Sequence, residues 1–222
     1  MVDFNKTFSF GILTVDILTK RRYIINNMNE TTDLTQFQDF PKMGRFSRGV
    51  VITEKIDGTN AQVCIDDSGT IRFGSRTRWI TPENDNYGFA RWAEGNKAEL
   101  LKLGPGRHFG EWWGQGIQRG YNMKTKQFSL FNAGRWIKSE TARVDKNQMI
   151  APEVCLVVPI VLTGSLSDVL VQQALDGLIT AGSLASPGFM DPEGIVIYHT
   201  AAGVGFKKTI KDDGVPKSLV GK

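Results

Sequence analysis

The sequence predicts an α+β fold built of antiparallel sheets with flanking helices. Three observations predict it. Short β-branched or alternating runs recur along the chain, separated by turn residues. Only a few stretches carry the spacing of an amphipathic helix. Strands and helices do not alternate regularly, as a doubly wound parallel sheet would require.

Each element has a local reason. GVVIT, Gly49 to Thr53, is a β-branched run. AQVCI, Ala61 to Ile65, alternates in polarity, DDSG turns the chain, and TIRFGS, Thr70 to Ser75, returns as a third strand. Residues 86–103 read as a helix, with Phe89, Trp92, Leu100 and Leu103 on one face and Pro105 beyond its end. RHFGEWW (107–113), KQFSLFN (126–132) and VCLVVPIVL (154–162) read as strands. Ser167 is placed to cap a helix over 168–181, and GIVIYH (194–199) and VGFKKTI (204–210) close the pattern. Residues 1–30 lack this texture. They are expected to form a peripheral extension to a domain over 31–222.

The 222-residue chain is 41% hydrophobic and 23% charged, an ordinary globular composition long enough for a sizeable core. A net charge of +4 permits a polyanionic partner without requiring one. Two cysteines, Cys64 and Cys155, lie far apart with no Cys/His spacing around them, which argues against a zinc site and for a reducing compartment. The expectation is a cytoplasmic protein with no membrane span and no signal peptide. Two glycine-rich runs, Gly104–Gly110 and Gly114–Gly120, have the wrong spacing and context for a dinucleotide fingerprint and read as turns. His108 and His199 have no partners in motif spacing, and Trp112 and Trp113 read as core and rim. Arg72, Arg78, Arg91, Arg107, Arg119 and Arg135 with Lys124 and Lys126 form either a basic track for phosphates or scattered solvated charges.

One stretch interrupts the strand pattern with chemistry. In ITEKIDGTNAQV, Lys55 stands at a strand end among Glu54, Asp57, Gly58 and Asn60, with apolar strands on both sides. A lysine at its ordinary pKa of about 10.4 holds fewer than roughly one free amine in a thousand at neutral pH. Desolvation or neighbouring cations free the amine and make it a nucleophile. Gly58 would let a ligand approach the backbone closely.

EKIDGTN, residues 54–60, resembles the K-x-D-G-x-N motif of ATP-dependent ligases and capping enzymes. The rest of the chain keeps the motif order of that superfamily. SRTR (75–78), FGEWWG (109–114), FSLFN (128–132), PEGIVIY (192–198) and GFKKT (205–209) resemble its later elements in turn. The texture is most similar to the RNA ligase family that includes phage end-joining and RNA-editing ligases.

The resemblance implies an ATP-grasp-like nucleotidyltransferase core. It implies an RNA ligase that uses ATP and Mg²⁺ and seals 5′-phosphate to 3′-hydroxyl ends through a lysyl-AMP intermediate. Lys55 would be the nucleophile, with Lys207 and Lys208 as candidate cations on the α-phosphate. Adjacent strand residues face opposite sides, so only one of the pair should reach it, and the FKKT alignment favours Lys207. Glu54, Arg76, Glu111 and Phe131 would bind ATP: Arg76 on a phosphate, Glu111 on the ribose and Phe131 on adenine. Glu193, with Asp57 as an outer ligand, would hold the metal. Asn60 would act after adenylation. Asn132 departs from the aspartate usual after that phenylalanine. No C-terminal OB domain is expected, so an accessory protein for end recognition is a candidate partner beside RNA. The alternatives are sealing of DNA or hybrid nicks, guanylyl transfer, and a nucleic-acid-binding module that has lost catalysis.

Overall fold

A computed structural model describes residues 35–40 and 43–215. The extension expected over 1–30 lies outside them. The strands are β1 Gly49–Lys55, β2 Thr59–Ile65, β3 Ile71–Gly74, β4 Trp79–Ile80, β5 Gly106–Gly114, β6 Lys126–Leu130, β7 Trp136–Ile137, β8 Met149–Ile150, β9 Cys155–Val157, β10 Ile160–Ser165, β11 Gly194–His199 and β12 Val204–Thr209. The helices are α1 Phe89–Gly95, α2 Lys97–Leu100 and α3 Asp168–Ala181. Two sheets dominate. One is four-stranded in the order β10-β1-β11-β12, the other six-stranded in the order β4-β3-β2-β5-β6-β9. This is the expected α+β architecture. Every pairing in the two large sheets is antiparallel except β6 with β9, which is parallel.

Each sheet buries one face under its own helices, as the alternation of its strands dictates. On the four-stranded sheet, Val50, Ile52, Ile195 and Ile197 pack on Ala174, Leu175 and Leu178 of α3. The Ser167 side chain caps that helix by accepting from Leu170 N at 3.2 Å. Fully burying leucines such as Leu175 and Leu178 contributes about 1.5–3 kcal/mol each. On the six-stranded sheet, Ala61, Val63, Phe73, Trp112 and Phe128 pack on Phe89, Ala90, Ala93 and Leu100. A third cluster around Ile56, Trp113, Tyr121 and Val158 joins the two sheets.

Two expected elements are broken. The helix over 86–103 is α1 and α2, separated by Asn96 at φ −113° and ψ 18°. Asn96 Nδ2 donates to Trp92 O at 2.7 Å, a local bond that competes with continuation of the helix. The single strand expected over 154–162 is β9 and β10, which belong to different sheets. Pro159, with no N–H to offer a ladder, marks the crossing, and its carbonyl accepts from Glu54 N at 2.9 Å. The chain crosses between the sheets a second time at Ile56–Gly58, directly after Lys55. Among the described residues, no helix is long and apolar enough to cross a membrane.

Candidate active site

Lys55 ends β1 at the place where the chain leaves one sheet for the other. Its Nζ donates to Glu193 Oε2, a carboxylate with 3% exposure that directly precedes β11. Their encounter follows from register. Lys55 lies opposite Gly194, so Glu193 is the next residue along the neighbouring strand. Gly194 sits at φ 153°, and a Cβ there would lie 2.2 Å from the Lys208 carbonyl. Only glycine allows β12 so close.

The six-stranded sheet supplies the other wall. Asn60 and Glu111 are direct cross-strand partners, and Glu111 in turn lies opposite Ser129. Glu111 accepts from Gly58 N at 3.1 Å and from Asn60 Nδ2 at 3.3 Å. Burial pushes the Glu111 carboxyl up to about 8; Lys55 opposes the shift, and the like charges of Glu193 and Asp57 add to it. Gly58 is explained differently from the sequence expectation. A Cβ there would lie 2.5 Å from Trp112 O and 2.8 Å from Trp113 Cβ. The close approach is therefore to β5.

Asp57 lies beside this group but is tied down. Its carboxylate accepts from Arg119 Nε at 3.0 Å, and its backbone N–H donates to the Tyr121 hydroxyl at 2.8 Å. Arg119 reaches on to Asp191 Oδ2 at 2.8 Å, and Lys211 Nζ contacts the same carboxylate at 2.8 Å. These bonds run from the loop after β5 to the loop before β11, so they link the walls contributed by both sheets. The loop holds Gln118, Tyr121 and Asn122 at φ 45°, 52° and 54°. Non-glycine residues in that region carry strain of roughly 1–3 kcal/mol each, which the surrounding bonds must hold. Nothing in the local sequence points to Tyr121, and Arg119 is there only one basic residue among many. No short spacing ties either to Asp57.

Strand alternation sorts the remaining candidates. Glu54, one residue from Lys55, faces the opposite side of the sheet. There it accepts from Ser183 Oγ at 2.6 Å and from the backbone N–H groups of Leu184 and Ala185 at 2.8 and 2.9 Å. Burial raises its carboxyl above the ordinary range despite these donors. The Glu54 side chain thus anchors the loop after α3, bonding Ser183, Leu184 and Ala185. Lys207 is registered with Val196, which pairs with Thr53, and so lies on the face of Lys55. Lys208 is registered with Ile195 and Glu54, on the α3 face, and pairs with Asp213 at 3.0 Å. Arg76 stands exposed in the loop between β3 and β4, outside the Lys55–Glu193–Glu111 group. Phe131 follows β6, half-buried, and packs against the cluster that joins the sheets. Asn132 caps a turn, its Oδ1 accepting from Arg135 N at 3.0 Å.

A cavity of about 190 Å³ is lined by Trp113, Ser129, Lys138, Leu156, Val157, Pro159, Leu184 and Ala185, and Ser129 is the cross-strand partner of Glu111. Among the described residues, no three acidic, histidine or cysteine side chains form a metal cage. Glu193 and Asp57 remain suitable for an ion such as Mg²⁺, which takes one or two carboxylates and completes its shell with water and phosphate oxygens. The histidines are structural: His108 Nε2 bonds Gly104 O at 2.9 Å and His199 Nε2 bonds Phe46 O at 2.8 Å.

A two-sheet cleft with a lysine at a strand end, ringed by carboxylates from both walls, limits what class of protein this can be. Residues 48–211 match the RNA ligase family, and the chain belongs to it. Solved structures support the fold. Naegleria gruberi RNA ligase, as an apo lysine-to-alanine variant, matches with a TM-score of 0.51 and 22% identity over 73% of this chain. A lysine-to-methionine variant with AMP and Mn gives 0.51 and 21% over 74%, as does a glutamate-to-alanine variant with ATP and Mn. The chain spans 50% of the length of each. A comparison with curated proteins found no match.

Proposed function

We propose that the chain is an ATP-dependent RNA ligase that works through a covalent Lys55–AMP intermediate. The observation that carries this reading is Lys55 itself. It is 22% exposed and bonded to buried Glu193, and its charge acts on Glu111 of the second sheet, which Asn60 also bonds.

In the first step the Lys55 amine attacks the α-phosphorus of ATP. An N–P bond forms, the α–β phosphoanhydride bond breaks, and pyrophosphate leaves. Glu193 holds the resting ammonium by a hydrogen bond, and that pair opens and loses its proton to solvent before the attack. Lys207, on the Lys55 face, would stabilise charge on the phosphate. Glu111 faces the ribose, and the cavity beside Ser129 is adjacent space for the adenine, with Phe131 near its wall. Glu193 and Asp57 would hold Mg²⁺ or its water shell, and the bound ion would neutralise phosphate charge. AMP then passes to an RNA 5′-phosphate, and a 3′-hydroxyl displaces it, with Asn60 orienting the adenylated end.

Intact mass after incubation with ATP and Mg²⁺ tests the reading. The expected result is a gain of one AMP, reversed by pyrophosphate and absent in Lys55→Ala. No gain with ATP in the wild-type chain overturns it, and GTP in its place would identify guanylyl transfer. Matched RNA, DNA and hybrid nicks then test the acceptor: a strict need for a DNA 3′-end overturns the RNA assignment.

A further inference from the structure

The open face of the six-stranded sheet carries side chains that the adenylation chemistry does not use. Register puts Trp79, Gly74, Gln62 and Phe109 in one row across β4, β3, β2 and β5. Arg72, Cys64 and Arg107 form the next row on the same face. Both rows continue the Asn60–Glu111 row outward from Lys55. Asn60 to Cys64 is four residues, about 13 Å along the strand.

Half of the basic residues expected to form a track are committed elsewhere. Arg78 donates to the carbonyls of Asn84 and Asp85, Arg91 pairs with Asp85, Arg119 with Asp57 and Asp191, and Lys126 donates to Tyr87 O. Arg72 and Arg107 are both exposed and both share the open face, with the Arg72 charge also acting on Asp66 in the neighbouring turn. The Arg107 guanidinium lies 5.5 Å from the centroid of the Trp79 ring, and its Nη1 donates to Gln62 Oε1 at 3.3 Å. Gln62 Nε2 in turn donates to Ser75 O at 3.2 Å, which fixes the amide. Trp79 is 46% exposed, yet its ring is held by this chain of contacts. The acidic turn at Asp66 and Asp67 ends the basic surface.

We propose that this face binds a single-stranded RNA terminus as it runs away from Lys55. Trp79 offers a flat surface to a base, and Arg107 and Arg72 offer charge to the phosphates. The inference rests on the RNA ligase reading for its choice of partner. Its physical basis is independent: an aromatic plane backed by a cation, beside a second cation, is the combination that holds single strands without reading sequence.

The test is binding of a fluorescent 12-nucleotide RNA, measured by anisotropy across salt concentrations, with AMP mass gain measured on the same proteins. Trp79→Ala and Arg107→Ala should each weaken RNA binding about tenfold. Trp79→Phe and Arg107→Lys should recover part of it. The slope of log affinity against log salt should fall by about one in Arg107→Ala and stay unchanged in Trp79→Ala. All variants should gain AMP as the wild type does. Wild-type affinity in both alanine variants overturns the proposal, as does a wild-type chain that does not bind the RNA. Loss of AMP gain together with RNA binding also overturns it, because the residues would then be structural. A wild type that binds RNA through these residues but never gains AMP would sink the ligase reading and leave the surface standing.

Discussion

The two faces of the four-stranded sheet use the same residue types for different ends. On the cleft face stand Lys55 and Lys207. On the α3 face, one residue away in each case, stand Glu54 and Lys208. Glu54 holds the 183–185 loop with three hydrogen bonds. Lys208 pairs with Asp213 near the chain's last described turn. Neighbours in sequence are thus on opposite sides of a packed layer, and alternation alone separates candidate chemistry from support. A charged pair in a motif is therefore a pair of different environments.

The largest expected effect falls on the cleft face. Lys55→Ala should abolish the AMP adduct, while still sealing an RNA end supplied already adenylated. Asn60→Ala should do the reverse, forming the adduct and sealing poorly. Equal loss of both steps in both variants would break the division of labour between the two walls.

The lysine pair sharpens the comparison next. Lys207→Ala should slow adduct formation roughly 100-fold, the usual loss for one donor aimed at developing charge. Lys208→Ala should change that rate less than about threefold, and its exposed ion pair should contribute under about 1 kcal/mol. Single-turnover labelling separates the two, and the opposite ranking would mean that the register assigns the wrong lysine.

Glu54→Ala tests the α3 face. It leaves a hydroxyl and two backbone N–H groups without their acceptor, at a cost of about 2 kcal/mol. Urea unfolding should show that loss, and AMP labelling by the folded fraction should need more ATP, because the Leu184 and Ala185 that Glu54 holds line the cavity proposed for adenine. A selective loss of labelling would instead place Glu54 at the nucleotide.

Glu111 adds a pH dependence of stability to the comparison. Its native pKa is raised from 4.5 to about 8 by burial, so the folded state holds the proton more tightly than the unfolded one. Stability contributed by the protonated form is present below the unfolded value and is lost as pH rises toward about 8. Glu111→Gln removes that loss. Its melting temperature relative to wild type should therefore rise between about pH 5 and pH 8 and level off above. A difference that does not change with pH would show that Glu111 is not desolvated as its burial indicates.

Much of the fold and site was legible in the chain. The β-branched runs, the Ser167 cap and the ordered motifs placed β1, β2, β11, β12 and α3 close to their observed bounds, because local conformation follows from period and capping. Lys55, Asn60, Glu111 and Glu193 were singled out by motif order, and the structure brings them together. Other features were not legible. The split of 154–162 between two sheets depends on what Val158 and Pro159 meet in space. The separation of Lys207 from Lys208 and the turning of Glu54 away from the cleft depend on strand register. The Arg119 bond to Asp57 joins residues 62 apart in sequence. By itself, the sequence determined the strands, the cap and the set of charged groups, all of which obey local rules. Which side of a layer each group faces, and which distant partner neutralises it, only the tertiary structure decided, because pairing register and burial arise when separate segments pack together.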